Sequence, residues 1–166
     1  AIEIAKRIGM PIKIAAKVDK VDQEYFEQCI NPLLSDSLVE YVGEISEGEK
    51  DEFLGNALAL LFPIDWPEPF GMAMIEAMAC GTPVVASRRG SVPEVIEDGA
   101  TGFIFDGLEE AVKAVERIPT LNRKRCREVF EQRFSARRMA QDYLTLYTRV
   151  CGESGGTSVG PLREPP

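Results

Sequence analysis

The chain has 166 residues and a formal net charge of −8, long enough for one domain with a sizeable core. That acidity disfavours nucleic acid and anionic lipid surfaces as partners, because phosphate calls for a basic face. With no histidine, Ser-His-Asp and Cys-His catalysis and histidine-based metal sites are excluded within these residues.

The apolar fraction of 45% is that of an ordinary globular protein, and no apolar run approaches the roughly eighteen residues of a membrane span. Glu3, Lys6 and Arg7 interrupt the start in a way a signal peptide does not. Cys29, Cys80, Cys126 and Cys151 are widely spaced, without a CxxC pair. They read as reduced thiols of a cytoplasmic protein rather than a disulfide frame or zinc site.

In chain order, Ala1 to Ile8 places Ile4, Ala5 and Ile8 on one side of a helix that Gly9 stops. Pro11 to Val18 has the apolar character of a short buried strand. Lys17 stands at its C-terminal end, where ligands approach parallel sheets, although a solvated strand-end lysine is the plainer reading. Asp22 to Leu34 reads as an amphipathic helix with Tyr25, Phe26, Cys29 and Ile30 inward, weakened at its end by Asn31-Pro32. Leu38 to Val42 is a short strand closed by Gly43. Ser46 to Asn56 is a helix with Ser46 and Glu49 at capping-box spacing and Phe53 and Leu54 inward. Ala57 to Phe62 reads as a fully buried strand. Helices and strands thus alternate, which predicts an α/β domain, a Rossmann-like parallel sheet with helices on both faces.

The stretch Pro63 to Val85, PIDWPEPFGMAMIEAMACGTPVV, organises the rest. Met72, Met74, Ile75 and Met78, with Ala73, Ala77 and Ala79, make its helix apolar nearly all round and predict burial. Glu76 nevertheless lies in that helix, and Glu68 stands just before it. An ionised carboxylate among apolar groups is costly unless something pairs with it or donates hydrogen bonds to it. Pro67 and Pro69 restrict the backbone around Glu68, and Gly71 allows close approach to the main chain. The helix then begins with free N–H groups and a positive dipole end, suited to a phosphate or a sugar hydroxyl. Glu76 lies about 7.5 Å further along the axis. Each carboxylate also has a plainer explanation. Glu68 is the kind of residue favoured at a helix start, and Glu76 could pair with an arginine elsewhere in the core. Together with the Pro-Glu-Pro-Phe-Gly loop they favour a ligand site.

Val84 to Ala86 is the next strand, followed by Arg88 and Arg89, which read as exposed. Pro93 to Ile96 forms a short helix, Gly99 and Gly102 frame a turn, and Phe103 to Phe105 is the last strand. Leu108 to Ile118 is a helix with Ala111, Val112 and Val115 inward, and Asn122 to Phe134 is a second with a solvated charged face. Ser135 caps a final helix whose Met139, Tyr143, Leu146 and Val150 recur at helical spacing and read as core. From Gly152 the chain is Gly- and Pro-rich and reads as a disordered tail. The expected organisation is therefore one domain over residues 1–151 and a tail over 152–166.

Glu68-Pro-Phe-Gly-Met-Ala-Met-Ile-Glu76 resembles the E-x7-E motif of retaining glycosyltransferases of the GT-B architecture, which are built from two Rossmann-like domains. Ala77-Met-Ala-Cys-Gly-Thr-Pro-Val-Val85 resembles the run that follows it in the "glycosyl transferases group one" type. Gly90-Ser-Val-Pro-Glu94 and Asp98-Gly-Ala-Thr-Gly-Phe103 resemble the family's next two signatures, in the same order. The resemblance covers roughly residues 1–150. It implies the C-terminal, donor-binding half of such an enzyme, lacking its first strand and loop, with the N-terminal Rossmann-like domain missing from this chain.

By that resemblance the domain would bind a nucleotide-activated sugar, a UDP- or GDP-sugar. Glu76 would accept hydrogen bonds from the ribose hydroxyls and Glu68 would face the transferred sugar. Main-chain N–H groups at Phe70, Gly71 and Met72 would hold sugar hydroxyls or the distal phosphate, and Lys17 is a further donor-site candidate. The family transfers sugars with retention and, in this branch, mostly without a metal, so no cofactor is expected. The acceptor is unidentified. Alone, such a half would bind donor weakly and turn it over hardly at all. A non-catalytic nucleotide-sugar binding module working with a partner chain is the alternative. A glycoside hydrolase using the two glutamates is a weaker one, because Glu76 behind Glu68 leaves poor access for water and a sugar.

Overall fold

The structure, a computed structural model, describes residues 1–153. Its elements run α1 (Ile2–Ile8), β1 (Ile12–Ala15), α2 (Gln23–Tyr25), β2 (Val39–Gly43), α3 (Glu47–Gly55), β3 (Leu60–Phe62), α4 (Met72–Ala79), β4 (Val84–Ser87), α5 (Val92–Val95), β5 (Gly102–Phe105), α6 (Leu108–Arg117), α7 (Arg123–Arg133) and α8 (Ala136–Glu153). Every strand pairing is parallel, as the alternation of helix and strand requires. The strands form two sheets, β1–β2 and β3–β4–β5.

β4 is the central strand of the larger sheet and is buried along its whole length. Its side chains alternate between two cores, as strand geometry demands. Val84 and Ala86 join Met74, Met78, Leu54, Val92 and Val129 on the face covered by α3, α4, α5 and α7. Val85 joins Ile4, Phe103, Phe105, Ala111 and Val115 on the face covered by α1 and α6. Helices therefore cover both faces of this sheet. α1 also reaches toward the smaller sheet, because Lys6 pairs with Asp36, just before β2, at 3.0 Å.

Several local signals act as written in the sequence. Gly9 ends α1 in the left-handed region at φ 65°. Ser46 donates its backbone N–H and its hydroxyl to Glu49 Oε2 at 2.8 and 2.6 Å, closing the start of α3. Asn122 accepts the Lys124 N–H at 3.0 Å at the start of α7.

Other expectations are corrected. Residues 22–34 do not make one amphipathic helix. α2 passes into a π-helical turn, Phe26–Ile30, and a 3-10 turn, Asn31–Ser35, with no buried residue. Pro32 has no N–H to continue the ladder, and only Phe26 and Ile30 of the expected inner face are even half-buried. Phe26 packs on Tyr41 with ring centroids 5.3 Å apart. β3 is shorter than the expected strand over residues 57–62 and is half-buried rather than buried; among the described residues it pairs only with β4. Val112 is likewise half-buried. Met139, Tyr143, Leu146 and Val150 are not core: each is about half exposed. Helical spacing defines a face but not a partner for it, and the neighbour of α8 is α7. Gly152 and Glu153 belong to α8, and the rest of the expected tail lies outside the described residues.

Candidate functional site

The loop between β3 and α4 is shaped by its prolines and by Gly71. Around Pro67 the Glu68 N–H donates to the Trp66 carbonyl at 2.9 Å, a tight three-residue turn. Gly71 then opens α4 at φ 79°, in the left-handed region. An added Cβ there would stand 2.3 Å from Met74 Cε, so the end of that side chain would have to shift.

This geometry gathers three N–H groups onto Glu68. Oε1 accepts from Gly71 N–H at 2.9 Å and Phe70 N–H at 3.3 Å. Oε2 accepts from the indole N–H of Trp66 at 3.0 Å. The carboxylate thus sits over the start of α4, where the dipole favours negative charge. Its peptide is fixed from the far side by the segment after β4. Ser91 N–H donates to the Glu68 carbonyl at 2.8 Å. A Cβ at Gly90 would lie 2.2 Å from that same oxygen, so only glycine allows the two backbones to touch.

Glu76 lies on the half-exposed side of α4, not in the apolar interior, with its side chain 33% exposed. Its partner is a lysine rather than an arginine: Lys50 Nζ on α3 lies 3.2 Å from Glu76 Oε1 and 2.7 Å from Glu47 Oε1. Hydrogen bonds to Glu47 and then Glu76 raise the Lys50 pKa above its ordinary value and keep it charged. Met74, Ile75, Ala77 and Met78 carry the buried face of α4, whereas Met72 is exposed.

Glu68, Phe70 and Gly71 are therefore brought together by hydrogen bonds, with Met72 beginning the helix beside them and Glu76 further along it. Phe70 and Gly71 present their N–H groups to Glu68, so a ligand would share or displace that carboxylate. Lys17 stands beyond β1 and pairs with Asp19 at 2.9 Å, both side chains well exposed. Sequence reasoning missed Trp66, the contact of Gly90 with Glu68, and Lys50. Trp66 lies two residues before Glu68 and was within reach of a local reading. Lys50 and Glu76 are separated by 26 residues, and no spacing rule links them.

The family model for glycosyl transferases group 1 matches residues 9–133. The chain belongs to that family. Among curated glycosyltransferase-family relatives, alpha-maltose-1-phosphate synthase of Mycobacterium tuberculosis is 37% identical over 122 residues, which is 63% of this chain and 30% of that protein. N-acetyl-alpha-D-glucosaminyl L-malate synthase of Bacillus anthracis is 31% identical over 99 residues, 55% of this chain and 26% of that protein. The matched stretch thus spans about a third or less of these relatives' length. Among solved structures, sucrose-phosphate synthase of Thermosynechococcus elongatus superposes with a TM-score of 0.75 at 24% identity, covering 92% of this chain and 42% of that one. HepE of Anabaena, solved with UDP and glucose, gives a TM-score of 0.74 at 21% identity, covering 89% and 44%. These superpositions show a shared α/β fold.

Proposed function

We propose that this chain forms the nucleotide-sugar-binding half of a retaining glycosyltransferase that moves a hexose from a nucleoside-diphosphate sugar to an acceptor. The observation that carries the reading is the placement of Glu68 over the start of α4 with Glu76 further along the same helix. Glu76 takes the ribose hydroxyls, since a charged acceptor meeting two hydroxyl donors makes strong bonds. Glu68 takes hydroxyls of the transferred sugar and stabilises positive charge developing at its anomeric carbon. The N–H groups of Phe70, Gly71 and Met72 are offered to sugar hydroxyls or the distal phosphate, and Lys17, which pairs with Asp19, is a further donor-site residue.

The family match supports this reading, as does the presence of UDP and glucose in HepE. The acceptor belongs to a second Rossmann-like domain, and turnover requires that domain. Residues 1–151 are taken as one folding unit. A cytoplasmic setting is proposed from the wide spacing of Cys29, Cys80, Cys126 and Cys151, without a CxxC pair. Among the described residues no helix is long and apolar enough to cross a membrane.

Calorimetric titration with UDP-, GDP- and ADP-sugars tests the reading, beside a Glu76→Gln variant. The expected result is binding of one nucleotide class, weakened by the substitution. Equal affinity in the variant would remove Glu76 from the site.

A further inference from the structure

Trp66 is the one tryptophan of the chain. The residue is 54% exposed, yet its indole N–H is committed to Glu68 Oε2 at 3.0 Å. An indole that is half in solvent contributes little to a core, and no buried cluster includes it. The hydrogen bond sets its orientation. Glu68 is itself held from its carbonyl by Ser91 and from its carboxylate by Gly71. The ring is therefore preset beside a carboxylate, on a residue about half open to solvent. Phe70 and Met72, 43% and 58% exposed, follow Glu68 in the chain, and Phe70 meets Phe134 edge-on with ring centroids 6.4 Å apart.

A pyranose offers the matching pair of surfaces, one face of C–H bonds and a rim of hydroxyls. An aromatic plate next to a carboxylate can take both at once. Glu68 receives three N–H groups, and a carboxylate has about four acceptor positions, so a sugar hydroxyl can still be accommodated.

We propose that Trp66 contacts the transferred sugar: its indole face packs on the C–H face of the hexose while its N–H keeps Glu68 aimed at that hexose's hydroxyls. This rests on the donor-site reading above and adds a residue to it. A nucleobase could stack on the same ring, and comparing nucleotide with nucleotide-sugar separates the two occupants.

The experiment titrates the 166-residue chain with UDP and UDP-glucose, and with GDP and GDP-glucose, following tryptophan emission and heat together. The nucleotide-sugar should change the emission of Trp66, and the nucleotide alone should leave it nearly unchanged. Trp66→Ala should bind the bare nucleotide as before and lose about tenfold of the affinity gained from the sugar. Trp66→Phe, a ring without the N–H, should recover part of it. Equal emission changes with nucleotide and nucleotide-sugar would overturn the role of Trp66 and leave the donor site standing. So would a Trp66→Ala chain that keeps the full preference for the sugar. If Trp66→Ala does not fold, the emission comparison on the unaltered chain decides. No heat from any of these four ligands, nor from ADP or ADP-glucose, would overturn the donor-site reading, and the role of Trp66 with it.

Discussion

Lys50 holds Glu76 from the neighbouring helix, its Nζ 3.2 Å from Glu76 Oε1, and is itself held by Glu47 at 2.7 Å. The pair ties α3 to α4 at a half-exposed seam, where an ion pair adds little to stability. Its effect is to fix the rotamer of Glu76. Lys50→Met should therefore leave stability nearly unchanged. It should weaken donor binding several-fold through a carboxylate that is no longer held, and Lys50→Arg should keep most of it. Urea unfolding and calorimetry on the same preparations check both halves.

Gly90→Ala should act on Glu68. The added methyl would stand 2.2 Å from the Glu68 carbonyl oxygen, at a residue whose φ is +50°, so the loop must move or the backbone must strain. A loss of about 1–3 kcal/mol is expected, together with weaker donor binding. Gly107→Ala is the control, since a Cβ there meets nothing within 4 Å. Denaturant midpoints of the two variants give the comparison.

Thr82 is fully buried and its hydroxyl donates to the Leu54 carbonyl at 2.7 Å while accepting from Arg123 at 2.8 Å. Thr82→Val keeps the shape and leaves that carbonyl and the guanidinium without this partner. It should cost about 1–3 kcal/mol, read as a lower midpoint in thermal unfolding. An unchanged midpoint would mean that the other contacts of Arg123, to Gly55 and Ala57, suffice.

Stability should fall in acid through two carboxylates. Glu49 is held below the ordinary carboxylate range by hydrogen bonds from the Ser46 hydroxyl and backbone N–H. Asp36 is held below it by the Leu38 N–H and by Lys6. A group with a depressed folded pKa contributes its full share above the unfolded pKa and loses it as pH falls through the folded value. The loss therefore begins as pH drops into the ordinary carboxylate range and continues below it. In Glu49→Gln and Asp36→Asn the acid limb of a stability profile should be shallower than in the unaltered chain.

How much of this was legible in the sequence depends on how far apart the interacting groups lie. Gly9, Ser46 with Glu49, and Asn122 act within a turn of themselves, and their residue types announced the caps. Parallel pairing followed from the alternation of helix and strand. The loop at Glu68 was legible because Pro67, Pro69 and Gly71 constrain the backbone around it. Lys50 was not, since its contact with Glu76 is made only when α3 packs on α4. Leu60, Leu61 and Phe62 look like an interior strand by composition, and only the order of strands places them at an edge. Met139, Tyr143 and Leu146 follow helical spacing whether or not anything covers them.

The division of the strands into two sheets has a consequence for handling the chain. Among the described residues β3 pairs only with β4, so Leu60-Leu61-Phe62, with no charge among them, offer backbone donors and acceptors along an open border. Borders of that kind recruit other strands and lead to self-association. The net charge of −8 keeps copies apart, but that repulsion fades over about 8 Å at physiological ionic strength and over about 3 Å in molar salt. High salt should turn this chain from a dispersed species into a self-associating one, and dilute buffer should reverse the early stages.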